Sequence, residues 1–262
     1  MTPALRLLLC LAITLACGAC AHAPSRAGRS TLAGVHWEPS PNHNARHAVI
    51  VVIHATEQGS VAESLETLRT ANSGGPVSAH YLVGRDGAIY QLVDEGLRAW
   101  HAGGGHWGTI TDLNSASIGI ELDNDGQAPF PDPQIQALLG LLADICARND
   151  IPRTQVIGHA DLAPERKRDP GARFPWAQLA GQGFGLWPRA DAGDPPPAFD
   201  AWVALRLLGY PMGDPAAALK AFRLHFRGIE DDSPEPDEVD RRLLFALEGD
   251  AWTPAPVQPV SR

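Results

Sequence analysis

The 262-residue chain has 30 acidic and 21 basic side chains, which gives a formal net charge of −9 at pH 7. No basic run or stripe is present, so the composition argues against a nucleic-acid partner. Hydrophobic residues make up 44% of the chain, enough for ordinary packed cores. A chain of this length is expected to form one sizeable domain and a second small one.

The N-terminus has the features of an export signal. A basic residue precedes residues 7–16, an almost entirely apolar stretch that is too short to span a bilayer stably. Small residues before Cys17 and Cys20 are similar to the lipobox of bacterial lipoproteins, although neither cysteine has a leucine three residues earlier. We predict a lipoprotein-type signal peptide over residues 1–20, with lipidation at Cys17 or Cys20. Plain secretory cleavage after Ala21 is the alternative, and either outcome exports the protein.

Beyond a predicted tether over residues 21–34, strand and helix patterns alternate. They predict a buried strand over 48–53, a capped helix over 60–70, a hairpin of strands over 79–83 and 88–93, a strand over 117–122, a helix over 133–149 and a last short strand at 156–157. This alternation predicts an α/β domain over residues 35–186, with a mixed central β-sheet flanked by helices. Cys146 lies in an apolar run and is expected in the core.

The C-terminal quarter of the chain has a different composition. Residues 187–197 are rich in proline and are predicted to be a linker. Three short amphipathic segments follow, at 199–208, 215–226 and 239–247, and they predict a small three-helix bundle over residues 198–248. The proline-rich end, residues 249–262, is predicted to be disordered.

Three side chains form a candidate metal site. His54 and His159 each follow a predicted strand, and Asp169 follows the second histidine after nine intervening residues. Two imidazoles and one carboxylate leave one tetrahedral position open, which is typical of a catalytic zinc site. The alternative is that each histidine is an ordinary surface or core residue. The spacing alone is only moderately specific for a metal site, because no local His-x-x-x-His pair is present.

Two further residues suit the chemistry of such a site. Glu121 interrupts an otherwise apolar strand, where a carboxylate facing a metal can act as a proton acceptor. Lys167 lies two residues before Asp169 and can place its ammonium over the open position. The alternatives are that Glu121 marks the solvent face of an edge strand and that Lys167 belongs to a solvated basic turn.

Seven short blocks resemble one family in sequence and order. They are Val52-Ile53-His54-Ala55-Thr56, Ser78-Ala79-His80-Tyr81, Gly84-Arg85-Asp86-Gly87, Ala99-Trp100-His101-Ala102-Gly103, Ser117-Ile118-Gly119-Ile120-Glu121, Gly158-His159-Ala160-Asp161 and Ala163-Pro164-x-Arg166-Lys167-x-Asp169-Pro170-Gly171. Together they resemble the zinc-dependent N-acetylmuramoyl-L-alanine amidases, whose fold is shared by the AmpD enzymes and the peptidoglycan recognition proteins. The AmiD-type outer-membrane lipoprotein amidases are the branch that the chain resembles most.

The resemblance implies one zinc ion held by His54, His159 and Asp169, with Glu121 as general base and Lys167 as stabiliser of the tetrahedral intermediate. It implies hydrolysis of the amide between the lactyl group of N-acetylmuramic acid and L-alanine. Peptidoglycan and muropeptides are the implied partners of a monomeric protein in the periplasm, attached to the outer membrane through its lipid anchor. The C-terminal helices resemble a peptidoglycan-binding module, although the acidic run at 230–240 matches an acidic polymer poorly.

His80, Trp100 and His101 match family positions with less defined roles, and Asn114 lies in the loop before the Glu121 strand. His80, Trp100, His101 and Asn114 are candidates for substrate binding, while a structural role is the alternative for His80 and core packing for Trp100. Two other functions also fit the sequence. One is a non-catalytic peptidoglycan-binding protein, which typically lacks a ligand or the base, and the other is a different exported zinc hydrolase.

Overall fold

A computed structural model describes residue 30, residues 32–45 and residues 47–250 of the protein. The predicted signal peptide, both candidate lipidation sites, most of the tether and residues 251–262 of the tail lie outside these residues. Within the described part, no helix has the length and apolar character needed to cross a membrane.

Among the described residues, six strands form the main sheet. They are β1 (Val35–Trp37), β3 (Ile50–Ala55), β6 (Tyr81–Val83), β7 (Ile89–Gln91), β9 (Ser117–Leu122) and β10 (Val156–Gly158). Their order across the sheet is β1-β7-β6-β9-β3-β10. The pairs β6–β9, β9–β3, β3–β10 and β1–β7 are parallel, and the β6–β7 hairpin is antiparallel. The predicted mixed sheet is confirmed.

Four shorter strands form two small ribbons. β2 (His43–Ala45) pairs with β8 (Leu97–Ala99), and β4 (Ala71–Asn72) pairs with β5 (Gly75–Pro76). The helices of this part are α1 (Val61–Arg69), α2 (Leu113–Ala116), α3 (Asp132–Asn149), α4 (His159–Leu162) and α5 (Trp176–Ala180), with a 3₁₀ turn at Arg153–Gln155.

Alternation along the central strands gives the sheet two different faces. Val51 and Ile53 of β3 lie in the main apolar cluster beneath α3, whereas Ile50 and Val52 belong to a second cluster on the opposite face. Because successive strand side chains point to opposite faces, His54 continues the second face. α3 packs on the first face through a buried stripe that includes Cys146, which is confirmed as a core residue.

A buried ionic cluster joins α3 to the hairpin on the first face. Glu95 is 2% exposed, and both its carboxylate oxygens accept hydrogen bonds from the Arg148 guanidinium at 2.6 and 2.7 Å. The Tyr81 hydroxyl donates to the same carboxylate at 2.5 Å. The buried charge is therefore fully paired, as its position in the core requires.

The C-terminal helices begin and end where local signals place them. α6 (Ala201–Leu208) and α7 (Pro215–Arg227) are each capped by an aspartate side chain, from Asp200 and Asp214, and each ends at a glycine in the left-handed region. α8 (Glu238–Asp250) completes the three predicted helices. Arg223 of α7 is fully buried and pairs with Asp240 at 2.7 Å, which secures α8 and the acidic loop between the two helices.

Candidate metal centre

The carboxyl ends of three parallel strands place the predicted site residues together. In the β3–β9 register His54 lies opposite Glu121, and in the β3–β10 register Ile53 lies opposite Gly158. His159 therefore follows β10 next to the end of β3. Strand ends of parallel sheets are where α/β proteins place ligands, because the side chains there face an open crevice.

Two imidazoles and one carboxylate converge at this edge. His54 Nδ1 lies 2.9 Å from His159 Nδ1 and 3.2 Å from Asp169 Oδ2, and the distance from His159 Nδ1 to the same Oδ2 is 3.1 Å. All three side chains are buried, with exposures of 1%, 1% and 7%. The structure thus brings together the three residues that the sequence predicted as metal ligands.

A buried chain of hydrogen bonds defines which nitrogen of His54 faces the centre. The Ser117 hydroxyl donates to the Leu113 carbonyl at 2.5 Å and therefore accepts from His101 Nε2–H at 3.2 Å. In a neutral ring this leaves His101 Nδ1 as an acceptor for His54 Nε2–H, at 2.9 Å. His54 Nδ1 then presents its lone pair to His159 and Asp169.

A second set of contacts orients His159. Its Nε2–H donates to the Ala102 carbonyl at 2.9 Å, so its Nδ1 is also a lone-pair donor. Asn114 Oδ1 accepts from the Ala102 and His101 backbone amides at 2.9 and 3.1 Å, which holds that carbonyl in place. The Arg166 guanidinium also donates to the Ala102 carbonyl and to the Gly104 carbonyl.

The donor set fits a zinc ion. Three electron-rich atoms at such short separations repel one another unless a cation lies between them. A tetrahedral zinc ion with bonds of about 2.0–2.2 Å keeps its ligand atoms roughly 3.3 Å apart, and the three observed separations are 2.9, 3.1 and 3.2 Å. Both imidazoles also have the outer hydrogen-bond partner that metal-binding histidines usually have.

The local electrostatics favour deprotonated ligands. Burial, assisted by the neighbouring His159, lowers the pKa of His54 to about 4, so its ring is neutral at neutral pH. Burial alone would raise the pKa of Asp169, but protons on the facing nitrogens of His159 and His54 hold it well below its usual range when no cation is bound. A bound cation would act in the same direction as those protons. A neutral imidazole and an ionised carboxylate are the forms that bind a metal.

Glu121 stands beside the centre with one oxygen free. Its Oε1 lies 4.0 Å from His54 Nδ1, and the side chain is 13% exposed. Its Oε2 is buried and has no hydrogen-bond partner among the described residues. Burial, with the negative charge of Asp169 adding to it, raises the pKa of Glu121 to about 8, and a bound cation would act in the opposite direction. An unpaired buried carboxylate oxygen is unusual and indicates a group that faces a reactant.

Lys167 lies on the turn that leads back to Asp169. The amides of Arg166 and Lys167 both donate to the Ala163 carbonyl, at 3.1 and 3.0 Å, and form a tight turn after α4. The Lys167 side chain is half-buried and has no hydrogen bond or ion pair with another described residue. It is therefore available to a bound molecule.

The four predicted substrate-binding residues lie around the centre, most of them inside the protein. His80 is fully buried, its Nδ1 accepts from the Gly119 amide and its Nε2 donates to the Leu97 carbonyl, both at 3.0 Å. His101 and Asn114 are 7% and 9% exposed and support the ligand histidines. These contacts favour the structural alternative for His80 and the same kind of role for His101 and Asn114. Trp100 is half-buried.

Sequence reasoning did not assign a role to Ser117 or Arg166. Both residues lie within the blocks that resemble the family, but nothing in the local sequence indicates what they contact. A serine at the start of an apolar strand gives only weak evidence that it supports a site. The partners of Ser117, Leu113 and His101, are identified only by the tertiary fold.

Gly119 is required by the close approach of His101 to β9. A Cβ at position 119 would lie 2.5 Å from His101 Cγ, whereas a Cβ at the exposed Gly140 of α3 would have nothing within 4 Å. We expect Gly119→Ala to destabilise the protein by about 1–3 kcal/mol through overpacking. Gly140→Ala, the matched control, should stabilise it by about 0.5–1 kcal/mol because alanine favours a helix interior.

Urea unfolding of the two variants measures both effects. If Gly119→Ala unfolds at the same urea concentration as the wild type, the His101 ring is not held against the strand as described.

Comparison with known proteins identifies the relatives of this architecture. The profile of the N-acetylmuramoyl-L-alanine amidase family matches residues 44–172. The chain is 40% identical over 211 residues to the N-acetylmuramoyl-L-alanine amidase AmiD of Escherichia coli K12. The aligned region covers 68% of this chain and 74% of that protein.

Two solved structures are similar over most of the chain. One is E. coli AmiD in complex with the substrate anhydro-N-acetylmuramic acid-L-Ala-D-γ-Glu-L-Lys, with a TM-score of 0.67, 38% identity and coverage of 78% of this chain and 89% of that one. The other is AmpDh3 of Pseudomonas aeruginosa in complex with anhydromuramic pentapeptide, with a TM-score of 0.66, 32% identity and coverage of 79% and 93%. With this extent of similarity, the chain belongs to the N-acetylmuramoyl-L-alanine amidase family.

Proposed function

We propose that the protein is a zinc-dependent amidase that hydrolyses the bond between the lactyl group of N-acetylmuramic acid and L-alanine in peptidoglycan stem peptides. The observation that supports this most is the cluster of His54, His159 and Asp169, with the unpaired oxygen of Glu121 beside it. AmiD and AmpDh3, the relatives with similar structures, were solved with anhydromuramoyl peptides.

His54, His159 and Asp169 would hold the zinc ion. When bound, zinc supplies Lewis-acid chemistry, since it polarises a carbonyl oxygen and makes water more acidic. The buried hydrogen bonds through His101 and Ala102 keep the two imidazoles deprotonated at Nδ1 and aimed at the ion.

Glu121 would move the proton. Its free Oε2 takes a proton from the attacking water while the water oxygen bonds to the lactyl carbonyl carbon. The same carboxyl then donates that proton to the amide nitrogen as the carbon–nitrogen bond breaks. The products are a muramic acid with a free lactyl carboxylate and a stem peptide with a free L-alanine amine.

Lys167 would stabilise the charge that develops during this step. Lys167 lies on the turn that leads to Asp169, and its positive charge acts on both Glu121 and His54. A positive charge near the carbonyl oxygen lowers the energy of the tetrahedral intermediate, on which that oxygen becomes negative.

Export to the periplasm, attachment to the outer membrane through Cys17 or Cys20, a monomeric state and a peptidoglycan-binding role for residues 198–248 remain predictions. The absence of a nucleic-acid partner and the domain boundaries given above remain predictions as well.

Mass spectrometry of the products released from a defined muropeptide tests this proposed activity. We expect free stem peptide beginning with L-alanine, together with the intact sugar portion. Cleavage at a glycosidic or a peptide–peptide bond would contradict the amidase assignment and favour a different zinc hydrolase. Binding without cleavage would favour the non-catalytic peptidoglycan-binding protein.

A further inference from the structure

A buried carboxylate lies two residues after the ligand His159. Asp161 is 1% exposed, and both its oxygens are hydrogen-bonded. Oδ2 accepts from the Gly158 amide at 2.7 Å and from His225 Nδ1–H at 2.7 Å, and Oδ1 accepts from the Tyr210 hydroxyl at 2.7 Å. None of the proposed catalytic steps uses this carboxylate.

Two of the three donors come from the C-terminal helices. Tyr210 follows α6 and His225 lies in α7, and they are 3% and 6% exposed. The His225 ring is stacked on Trp176 of α5, with centroids 3.8 Å apart and an angle of 12° between the planes. Ala160, the residue between His159 and Asp161, packs in the apolar cluster of the C-terminal helices.

The segment that these contacts hold is too short to be stable alone. α4 contains only the four residues His159–Leu162, and an isolated helical turn is unfavourable because nucleation costs more than its first hydrogen bond returns. The direction of the His159 ring therefore depends on what holds the turn. Without Tyr210 and His225, the buried Asp161 would lose two of its three hydrogen bonds, and the turn would have to move to expose it.

We propose that the C-terminal helical unit positions the metal-binding loop, with Tyr210 and His225 holding Asp161 and thereby His159. Both are positioning residues, because they act through the turn and not on the substrate. The inference rests on the zinc site of the proposed function, and it is independent of any binding of peptidoglycan by the helices.

The test compares full-length variants that remove a donor and keep an aromatic ring. Tyr210→Phe removes one bond to Asp161, and the double variant Tyr210→Phe/His225→Phe removes both while keeping a ring against Trp176. Tyr81→Phe is the matched control, because its hydroxyl also donates to a buried carboxylate, Glu95, but on the opposite face of the sheet.

Two readouts are measured on variants whose circular dichroism shows that they are folded. The first is Zn²⁺ affinity by competition with a chromogenic chelator, together with the absorption spectrum after Co²⁺ substitution. The second is amide hydrogen exchange of residues 158–162 in the metal-free protein, followed by mass spectrometry. If the double variant does not fold, Tyr210→Phe alone decides the test.

We expect about a tenfold loss of Zn²⁺ affinity, in the range found for outer-shell partners of metal ligands, and an altered Co²⁺ spectrum. Exchange of residues 158–162 should be faster, while Tyr81→Phe should match the wild type in Zn²⁺ affinity, Co²⁺ spectrum and hydrogen exchange. Wild-type affinity and exchange in the folded Tyr210 and His225 variants would overturn the inference. A wild-type protein that binds no Zn²⁺ would contradict the proposed function instead, and the exchange measurement would still decide the inference.

Discussion

Replacing Glu121 by alanine should lower the turnover of a muropeptide by about two to four orders of magnitude, the usual contribution of a positioned acid–base group. The zinc content should stay at the wild-type level, because Glu121 lies beside the ligand set and outside it. The physical reason is that Glu121 Oε2 is buried beside the ligand set and has no hydrogen-bond partner among the described residues, so it can take the proton of the attacking water.

Two further variants control this result. Glu121→Gln keeps the size of the side chain and should be almost as inactive, which would exclude a cavity effect. Glu66→Gln changes an exposed carboxylate on α1 and should turn over at the wild-type rate. Undiminished activity of Glu121→Ala would remove this residue from the mechanism.

Asp169→Ala should release the metal. Loss of an outer-shell partner costs about 10–100-fold in metal affinity, so we expect loss of this ligand to cost more than about 100-fold. Asp169 supplies the negative charge of the donor set, and its Oδ2 lies within 3.2 Å of both imidazole nitrogens. Competition with a chelator and elemental analysis of the purified variant measure the effect.

Asp191→Asn is the matched control for Asp169→Ala, because its side chain is 88% exposed and lies far along the chain from the site. Its zinc content should equal that of the wild type. Full zinc occupancy in Asp169→Ala would show that the ligand assignment is wrong.

The parts of the fold that local signals determine could be predicted from the sequence. β9 spans the predicted residues 117–122, and α6 and α7 begin at aspartate caps and end at glycines. The strand predicted over 48–53 is observed as Ile50–Ala55, so it includes His54. Strands such as β1 and helices such as α2 were not predicted, because three or four residues are too few to show a period.

The residues of the candidate site could likewise be predicted from local patterns, whereas the contacts that support them could not. His54 and His159 could be predicted because each follows an apolar run, and Glu121 because it interrupts one. Their supporting contacts could not be found, because they join distant parts of the chain: Asp161 and His225 are 64 residues apart, and His54 and His101 are 47 apart. Tertiary packing alone determines such pairs, and no local pattern reports them.

The measurement that tests the central claim most directly is a zinc titration of the metal-free protein during cleavage of one muropeptide. If the site formed by His54, His159 and Asp169 is the catalytic centre, chelation abolishes release of the L-alanine-terminated peptide. Added zinc then restores peptide release in proportion to the zinc added, until one ion is bound per chain. Full activity of the chelated, metal-free protein would contradict the account.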